Sequence, residues 1–86
     1  MPYRRVRERG ILFLFKYDDD APDLLHIYVR HLTTIDDALD TFFDPNAESQ
    51  WNPERARWET QSATHVLYWF WLEDNRKVMV VSCFQI

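Results

Sequence analysis

The chain has 86 residues, of which 47% are hydrophobic and 16% aromatic, and its formal net charge is −4. This length and composition predict one folded domain and exclude a disordered chain. Only one glycine, Gly10, is present, which excludes glycine-rich phosphate loops, and the single cysteine, Cys83, excludes an internal disulfide. The longest apolar run, residues 66–72, is too short to cross a bilayer. We therefore expect a cytoplasmic protein with no membrane association.

The first ten residues are basic, and we interpret residues 1–10 as an N-terminal arm of the single domain 1–86. Nucleic-acid-binding proteins usually carry a surplus of positive charge. Because the net charge here is negative, any such binding would depend on a local cluster like this one. Behind the arm, residues 11–17 form a β-rich apolar run that ends at three consecutive aspartates, residues 18–20.

The next segment predicts a short helix, with Asp20 as its N-cap and Pro22 in its first turn. Its apolar residues fall on one helical face, and they are Leu24, Leu25, Tyr28 and Leu32. An alternative remains open, in which residues 26–30 are a strand that pairs with the preceding one.

A second helix is indicated by an apolar stripe at helical spacing, formed by Ile35, Ala38, Leu39, Phe42 and Phe43. Thr34 can cap its start, and Asp36 and Asp37 favour the positive end of the helix dipole. Pro45 prevents the helix from continuing.

The C-terminal half predicts a polar loop over residues 45–53, followed by three strands. The first, within residues 55–62, is half-exposed, and the second, residues 66–72, is apolar on both faces. Residues 73–76 read as a tight turn before the last strand at residues 78–84. The predicted order is β-α-α-β-β-β, an α+β domain with two helices packed on a mostly antiparallel sheet.

This order and length resemble the RelE/ParE superfamily of small toxins from type II toxin–antitoxin pairs, and most closely its BrnT branch. The resemblance covers about four-fifths of the chain. It is carried by residues 15–18, Arg30 and His31, residues 34–38, residues 43–45, Arg57 and Trp58, and residues 80–82. It implies the fold above, a cognate antitoxin as partner, and RNA as the substrate of a metal-independent endoribonuclease.

The chain departs from the family pattern at three positions. Leu32 stands where the family usually has glycine after the histidine. Met79 and Phe84 stand where the last strand usually carries arginines. The loss of these cations weakens the expectation of catalysis and leaves the fold expectation unaffected.

Metal-independent RNA cleavage needs a proton-transfer group, a cation at the phosphate and a surface for the bases. By resemblance, His31 and Arg57 are the catalytic candidates, with His31 as acid or base and Arg57 at the phosphate. Arg30 and Trp58 are the substrate-binding candidates, Trp58 as a stacking platform. Adjacent strand residues point to opposite faces, so Trp58 in the core and Arg57 at a solvated edge is the alternative. No metal site or cofactor is predicted, because His26 and His31 are five residues apart.

A second hypothesis is a non-catalytic binding module, such as an immunity protein or a phage-type inhibitor. Asp36, Asp37 and Asp40 would form an acidic face that steers and binds a basic protein. Residues 67–71 contain more aromatic surface than a small core easily covers, which favours an interface. A homo-oligomer is also compatible with the sequence.

Overall fold

The computed structural model of the protein describes residues 3–72 and 76–86. Six strands and two helices follow one another along these residues: β1 (Tyr3–Glu8), β2 (Ile11–Lys16), α1 (His26–His31), α2 (Ile35–Phe43), β3 (Glu48–Asn52), β4 (Arg57–Gln61), β5 (His65–Leu72) and β6 (Lys77–Gln85). The predicted turn at residues 73–76 lies mostly outside the described residues.

The strands form one six-stranded sheet in the order β1-β2-β6-β5-β4-β3. Only β2 and β6 pair in parallel, and every other neighbouring pair is antiparallel. The α+β class with a mostly antiparallel sheet is confirmed, and β5 is an interior strand as predicted. The predicted order lacked two strands. Strand β1 lies in the expected N-terminal arm, and β3 lies in the expected loop. Both are edge strands whose mostly exposed residues lack the apolar alternation that marks a strand.

The hairpin between β1 and β2 turns at Arg9 and Gly10, whose φ angles are 51° and 80°. Two consecutive residues with positive φ are what a two-residue hairpin turn of type I′ requires. Glycine adopts this conformation without steric cost, which places the chain's only glycine at this turn.

The core lies between the two helices and one face of the sheet, which we call the helix face. The fully buried apolar side chains are Phe13, Phe15, Ile27, Ala38, Leu67, Trp69, Val78, Val80 and Cys83. The predicted stripe of α2 packs against this cluster, with Phe42 in edge contact with Phe13 and Trp69. The sheet-facing role predicted for that stripe is therefore confirmed.

Helix α1 starts at His26, six residues later than its predicted cap at Asp20. The cap prediction is wrong because Asp18, rather than Asp20, accepts the backbone N–H groups that follow. Its carboxylate binds the N–H of Asp20 at 3.0 Å and of Ala21 at 3.1 Å. This hydrogen bonding holds the segment in turns, and only from His26 onward is the chain helical. The strand alternative is also excluded.

The opposite side of the sheet, which we call the open face, carries no helix in the described residues. Side chains alternate between the two faces along a strand, so the neighbours of the buried residues in each strand point to the open face. They are Leu12, Leu14, Val66, Tyr68, Phe70, Leu72, Met79 and Phe84 in the middle, with Arg57, Glu59 and Gln61 on β4. These apolar side chains are partly buried. Met79 and Phe84, where the resemblance led us to expect arginines, therefore lie on the open face.

Within the described part of the chain, neither helix has the length and apolar character needed to span a membrane.

Candidate functional site

Arg57 lies on the open face, and its charge is already matched by a neighbour on the same strand. Its Nε donates to Oε2 of Glu59 at 3.0 Å, and its guanidinium carbon lies 3.7 Å from the centre of the Tyr68 ring. Only 19% of the Arg57 side chain is exposed. The guanidinium is thus held flat between an aromatic ring and a carboxylate, with little of it presented to solvent.

Glu59 is held in its charged form by two donors. The amide of Asn52 donates to Oε2 at 3.0 Å, and Arg57 donates to the same oxygen. The Asn52 hydrogen bond and then the Arg57 hydrogen bond lower the pKa of Glu59, against the opposing effect of burial. A phosphate that approached Arg57 would have to compete with this bound carboxylate.

His31 reaches the same face at the end of α1, but two aromatic rings separate it from Arg57. The His31 ring lies 5.7 Å from Phe84, and Phe84 lies 5.2 Å from Tyr68, centre to centre. Tyr68 in turn carries Arg57. The four side chains form a row across the open face, so the predicted base and the predicted cation are not adjacent.

The two predicted substrate-binding residues lie elsewhere. Trp58 points to the helix face, where its ring stacks on Trp69 at 6.1 Å and meets Trp51 at 5.4 Å. Arg30 is bound by two aspartates, with Nε 3.1 Å from Asp18 and Nη2 2.8 Å from Asp20. The structure thus places Trp58 with the core and Arg30 in a local ion-pair cluster, and neither joins Arg57.

The open face has a shallow cavity of about 690 Å³ next to this row. Aromatic rings and carboxylates line it together, and its side chains include Tyr68, Phe84, Glu48, Glu59 and Gln61. An aromatic ring attracts a cation through its face, and a carboxylate attracts one directly. This lining suits a guanidinium or ammonium group better than a phosphate.

Carboxylates continue from this cavity around the β3 edge of the sheet to helix α2. A cavity of about 420 Å³ joins Glu48 to Asp44, and one of about 120 Å³ joins Asp44 to Asp40 and Asp37. We call this surface the acidic belt, defined by Asp37, Asp40, Asp44, Glu48 and Glu59. Over the residues that the structure describes, neither Asp40 nor Glu48 forms an ion pair.

Of the three predicted partner-binding aspartates, Asp37 already has a structural role. Its carboxylate accepts the Thr34 N–H at 2.9 Å, and its own N–H donates to the Thr34 hydroxyl at 3.2 Å, which completes a capping box. Asp36 and Asp40 remain exposed. A charge change at Asp37 would therefore weaken α2, whereas changes at the other two would not remove a hydrogen bond.

Two histidines lie near aspartates, His26 at 3.5 Å from Asp18 and His65 at 3.9 Å from Asp37, and Cys83 is buried. No three His, Cys, Asp or Glu side chains there are grouped so as to hold a metal ion. Burial, reinforced by the nearby charge of Asp37, raises the pKa of Cys83 to about 11. The thiol is therefore protonated at neutral pH and is a poor nucleophile.

Sequence reasoning missed three residues of this site, Glu48, Glu59 and Tyr68. Arg57 and Glu59 are two apart on a predicted strand, and that period of two places them on one face, although it does not mark Glu59 as a site residue. Tyr68 faces Glu59 across the β4–β5 pair, which only the strand register reveals. Glu48 lay in a predicted loop and gave no signal.

Comparison of the chain with protein-family models, with curated proteins and with solved structures finds no match.

Proposed function

We propose that this protein is a non-catalytic binding module that engages a basic segment of a partner protein. The observation that carries the proposal is the continuous acidic belt, which ends in the aromatic-lined cavity of the open face. A Lys or Arg side chain of the partner would enter this cavity beside Phe84 and Glu48, because Arg57 already occupies the space between Tyr68 and Glu59. A basic antitoxin segment and a basic target of an immunity-type protein both have this chemistry.

The state of Arg57 favours binding over catalysis. Glu59 accepts the Nε–H of Arg57 and balances its charge, so a phosphate would be left with the Nη donors, beside a carboxylate that repels it. Met79 and Phe84 stand where the family's last strand usually carries arginines, so the two cations that the resemblance leads us to expect on this strand are missing. A developing phosphorane charge would lack the stabilisation that RNA cleavage requires.

A second candidate function keeps the toxin-like resemblance, as a toxin–antitoxin component that acts on single-stranded RNA. It is favoured by one observation: His31, Phe84, Tyr68 and Arg57 form a row on one face. Here Tyr68 and Phe84, instead of Trp58, would stack the bases, and Arg57 would bind a phosphate.

One substitution, Glu59→Gln, separates the two functions because it moves them in opposite directions. It removes a carboxylate from the cavity, so binding of a fluorescent Arg-Ser repeat peptide should weaken by roughly tenfold. For RNA, the same change releases Arg57, so binding of a single-stranded oligouridine should strengthen. Arg57→Ala should abolish the RNA binding and leave the peptide bound.

The acidic belt is tested by Asp40→Lys, with Glu8→Lys on the distant strand β1 as a matched change of charge. Asp40→Lys should slow peptide association at low salt, and the difference should shrink as salt screens the charges. Equal rates for both variants would remove the belt from the proposal. The chain could also be expressed alone, with growth and RNA integrity followed. If growth stopped and RNA broke down, and His31→Ala abolished both effects, the binding function would be rejected in favour of RNA cleavage.

A further inference from the structure

A separate groove lies on the other side of the molecule, between strand β1 and helix α1. Its volume is about 400 Å³. Its walls combine apolar and charged side chains, of which the important ones are Arg4, Asp23, Leu24, Tyr28, Ile35 and Asp36. None of these residues belongs to the acidic belt or to the row on the open face.

The floor of this groove exposes large apolar side chains. Leu24, just before α1, is 46% exposed, and Tyr28 of α1 is 47% exposed. Leu32, which caps the C-terminal end of α1, is 78% exposed. These three residues belong to the apolar face predicted for the first helix, and all three are exposed. A solvent-exposed apolar patch of this kind is typical of an interaction site.

Charges of both signs flank the apolar floor. Arg4 projects from β1 on the helix side of the sheet, because it pairs with the buried Phe15. Asp23 and Asp36 lie on the helical side of the groove. Within residues 3–72 and 76–86, none of these three charges takes part in an ion pair.

We propose that this groove is the interface of a homodimer, in which a second copy of the chain packs α1 against α1. A two-fold axis places the same patch on both copies, so a patch that meets itself must complement itself. An apolar centre with a cation on one side and carboxylates on the other meets this condition. Arg4 of each copy then faces Asp23 and Asp36 of its partner, and Leu24 and Tyr28 of the two copies pack together.

Other occupants fit the groove less well. A nucleic acid or an anionic membrane would be attracted by Arg4 and repelled by Asp23 and Asp36. A basic peptide would be attracted by the aspartates and repelled by Arg4. Only a partner with both signs, arranged in the opposite sense, pairs all three charges, and the chain itself provides that arrangement.

The test uses two charge variants that cannot pair with themselves but can pair with each other. In a dimer of Arg4→Glu, the new carboxylate of each copy would face Asp23 and Asp36 of its partner. In a dimer of the double variant Asp23→Arg with Asp36→Arg, the new arginines would face Arg4 of the partner. In light scattering coupled to size exclusion, wild type should show a concentration-dependent dimer. Each variant alone should have a dimer dissociation constant at least roughly tenfold higher than that of wild type. An equal mixture of the two variants should form a dimer again.

Arg5→Glu is the matched control, because this neighbour projects from the same strand to the open face. It should leave the dimer intact in buffer of physiological ionic strength. Circular dichroism of every variant distinguishes lost association from lost folding. A wild-type chain that stays monomeric at every concentration would overturn the proposal. So would variants that still dimerise alone, or a mixture that remains monomeric.

Discussion

The two helices pack on different strands of one sheet, α1 on β6 and β2 and α2 on β5 and β4, and they are stabilised by different means. Helix α2 has nine residues, a complete capping box and an apolar stripe packed into the core. Helix α1 has six residues, no side-chain hydrogen bond at its N-cap, and one fully buried residue, Ile27. Isolated helices this short are unstable in water, so α1 depends on groups outside itself.

Those groups are two buried polar side chains. Asp18, before α1, binds Arg30 of the helix and the N–H groups of the preceding turn. Thr33, after α1, donates its hydroxyl to the Cys83 carbonyl at 2.7 Å and also lies 3.0 Å from the Ile27 carbonyl. The signals for α2 thus lie within its own sequence, whereas α1 depends on side-chain hydrogen bonds between residues 12 and 50 positions apart.

The largest difference between the helices should appear on truncation of an aromatic residue in each. Phe42→Ala removes a ring that contacts Phe13 and Trp69, and should lower the free energy of unfolding by about 3 kcal/mol. Tyr28→Ala removes a half-exposed ring and should change it by less than about 0.5 kcal/mol. Urea titration at a concentration where the protein is monomeric measures both. Equal losses would mean that α1 is as well packed as α2.

Acid should destabilise α1 through Asp18. Burial opposes the charged form, but the hydrogen bonds from the Asp20 N–H and from Arg30 prevail and lower the pKa of Asp18. Because the pKa of Asp18 is lower in the folded state, its ionised carboxylate stabilises the fold, and this stabilisation is complete above the unfolded-state pKa of about 3.9. The stabilisation is lost as the pH falls through the folded-state pKa.

The measurement is the free energy of unfolding against pH for wild type, Asp18→Asn and Asp19→Asn. Asp18→Asn should be clearly destabilised at pH 7, and its deficit should shrink toward pH 2. Asp19 is exposed, so Asp19→Asn should follow wild type. A deficit that is constant with pH would show that the ionised form of Asp18 is not what stabilises α1.

The capping box of α2 gives a smaller effect. Thr34→Ala removes the hydroxyl that accepts the Asp37 N–H and should cost about 1 kcal/mol. Thr34→Ser keeps the acceptor and should cost much less. Helix α1 has no comparable side chain to remove. If Thr34→Ala and Thr34→Ser were equally stable, the capping hydrogen bond would contribute nothing measurable.

These contrasts explain how much of the fold the sequence could predict. The stripe from Ile35 to Phe43, its Thr34 cap and the interior strand β5 are local patterns, and all were predicted. The start of α1 was not, because Asp18, Asp19 and Asp20 are equivalent in sequence and only tertiary packing selects Asp18. The edge strands were missed because pairing on one side requires no apolar alternation.

The candidate site was predictable in its parts but not in its arrangement. Arg57 and Trp58 were expected on opposite faces if they lay on a strand, and they are. The pairing of Arg57 with Glu59 followed the same period of two. The acidic belt depends on how β3 brings Glu48 next to the end of α2, and no local pattern encodes that.

The smallest expected effect concerns the end of α1, and it has the opposite sign. Leu32 caps the helix with φ 55° and ψ 27°, in the left-handed region, and its N–H donates to carbonyls of the last turn. This conformation costs a side-chain-bearing residue about 1 to 2 kcal/mol, and glycine avoids that cost but loses about 0.5 to 1 kcal/mol of chain entropy on folding. Leu32→Gly should therefore stabilise the monomer by about 0.5 to 1 kcal/mol.

Leu32→Ala is the matched control for this last prediction, because it removes the exposed side chain and keeps the strained backbone. It should leave stability nearly unchanged, since the leucine side chain is 78% exposed and contributes little packing. Chemical denaturation of wild type, Leu32→Gly and Leu32→Ala distinguishes the contribution of the backbone conformation to stability from that of the leucine side chain. If Leu32→Gly were less stable than Leu32→Ala, the left-handed cap would not be strained. A stabilised Leu32→Gly would show that α1 retains a costly leucine at a position that glycine suits better, next to its exposed apolar surface.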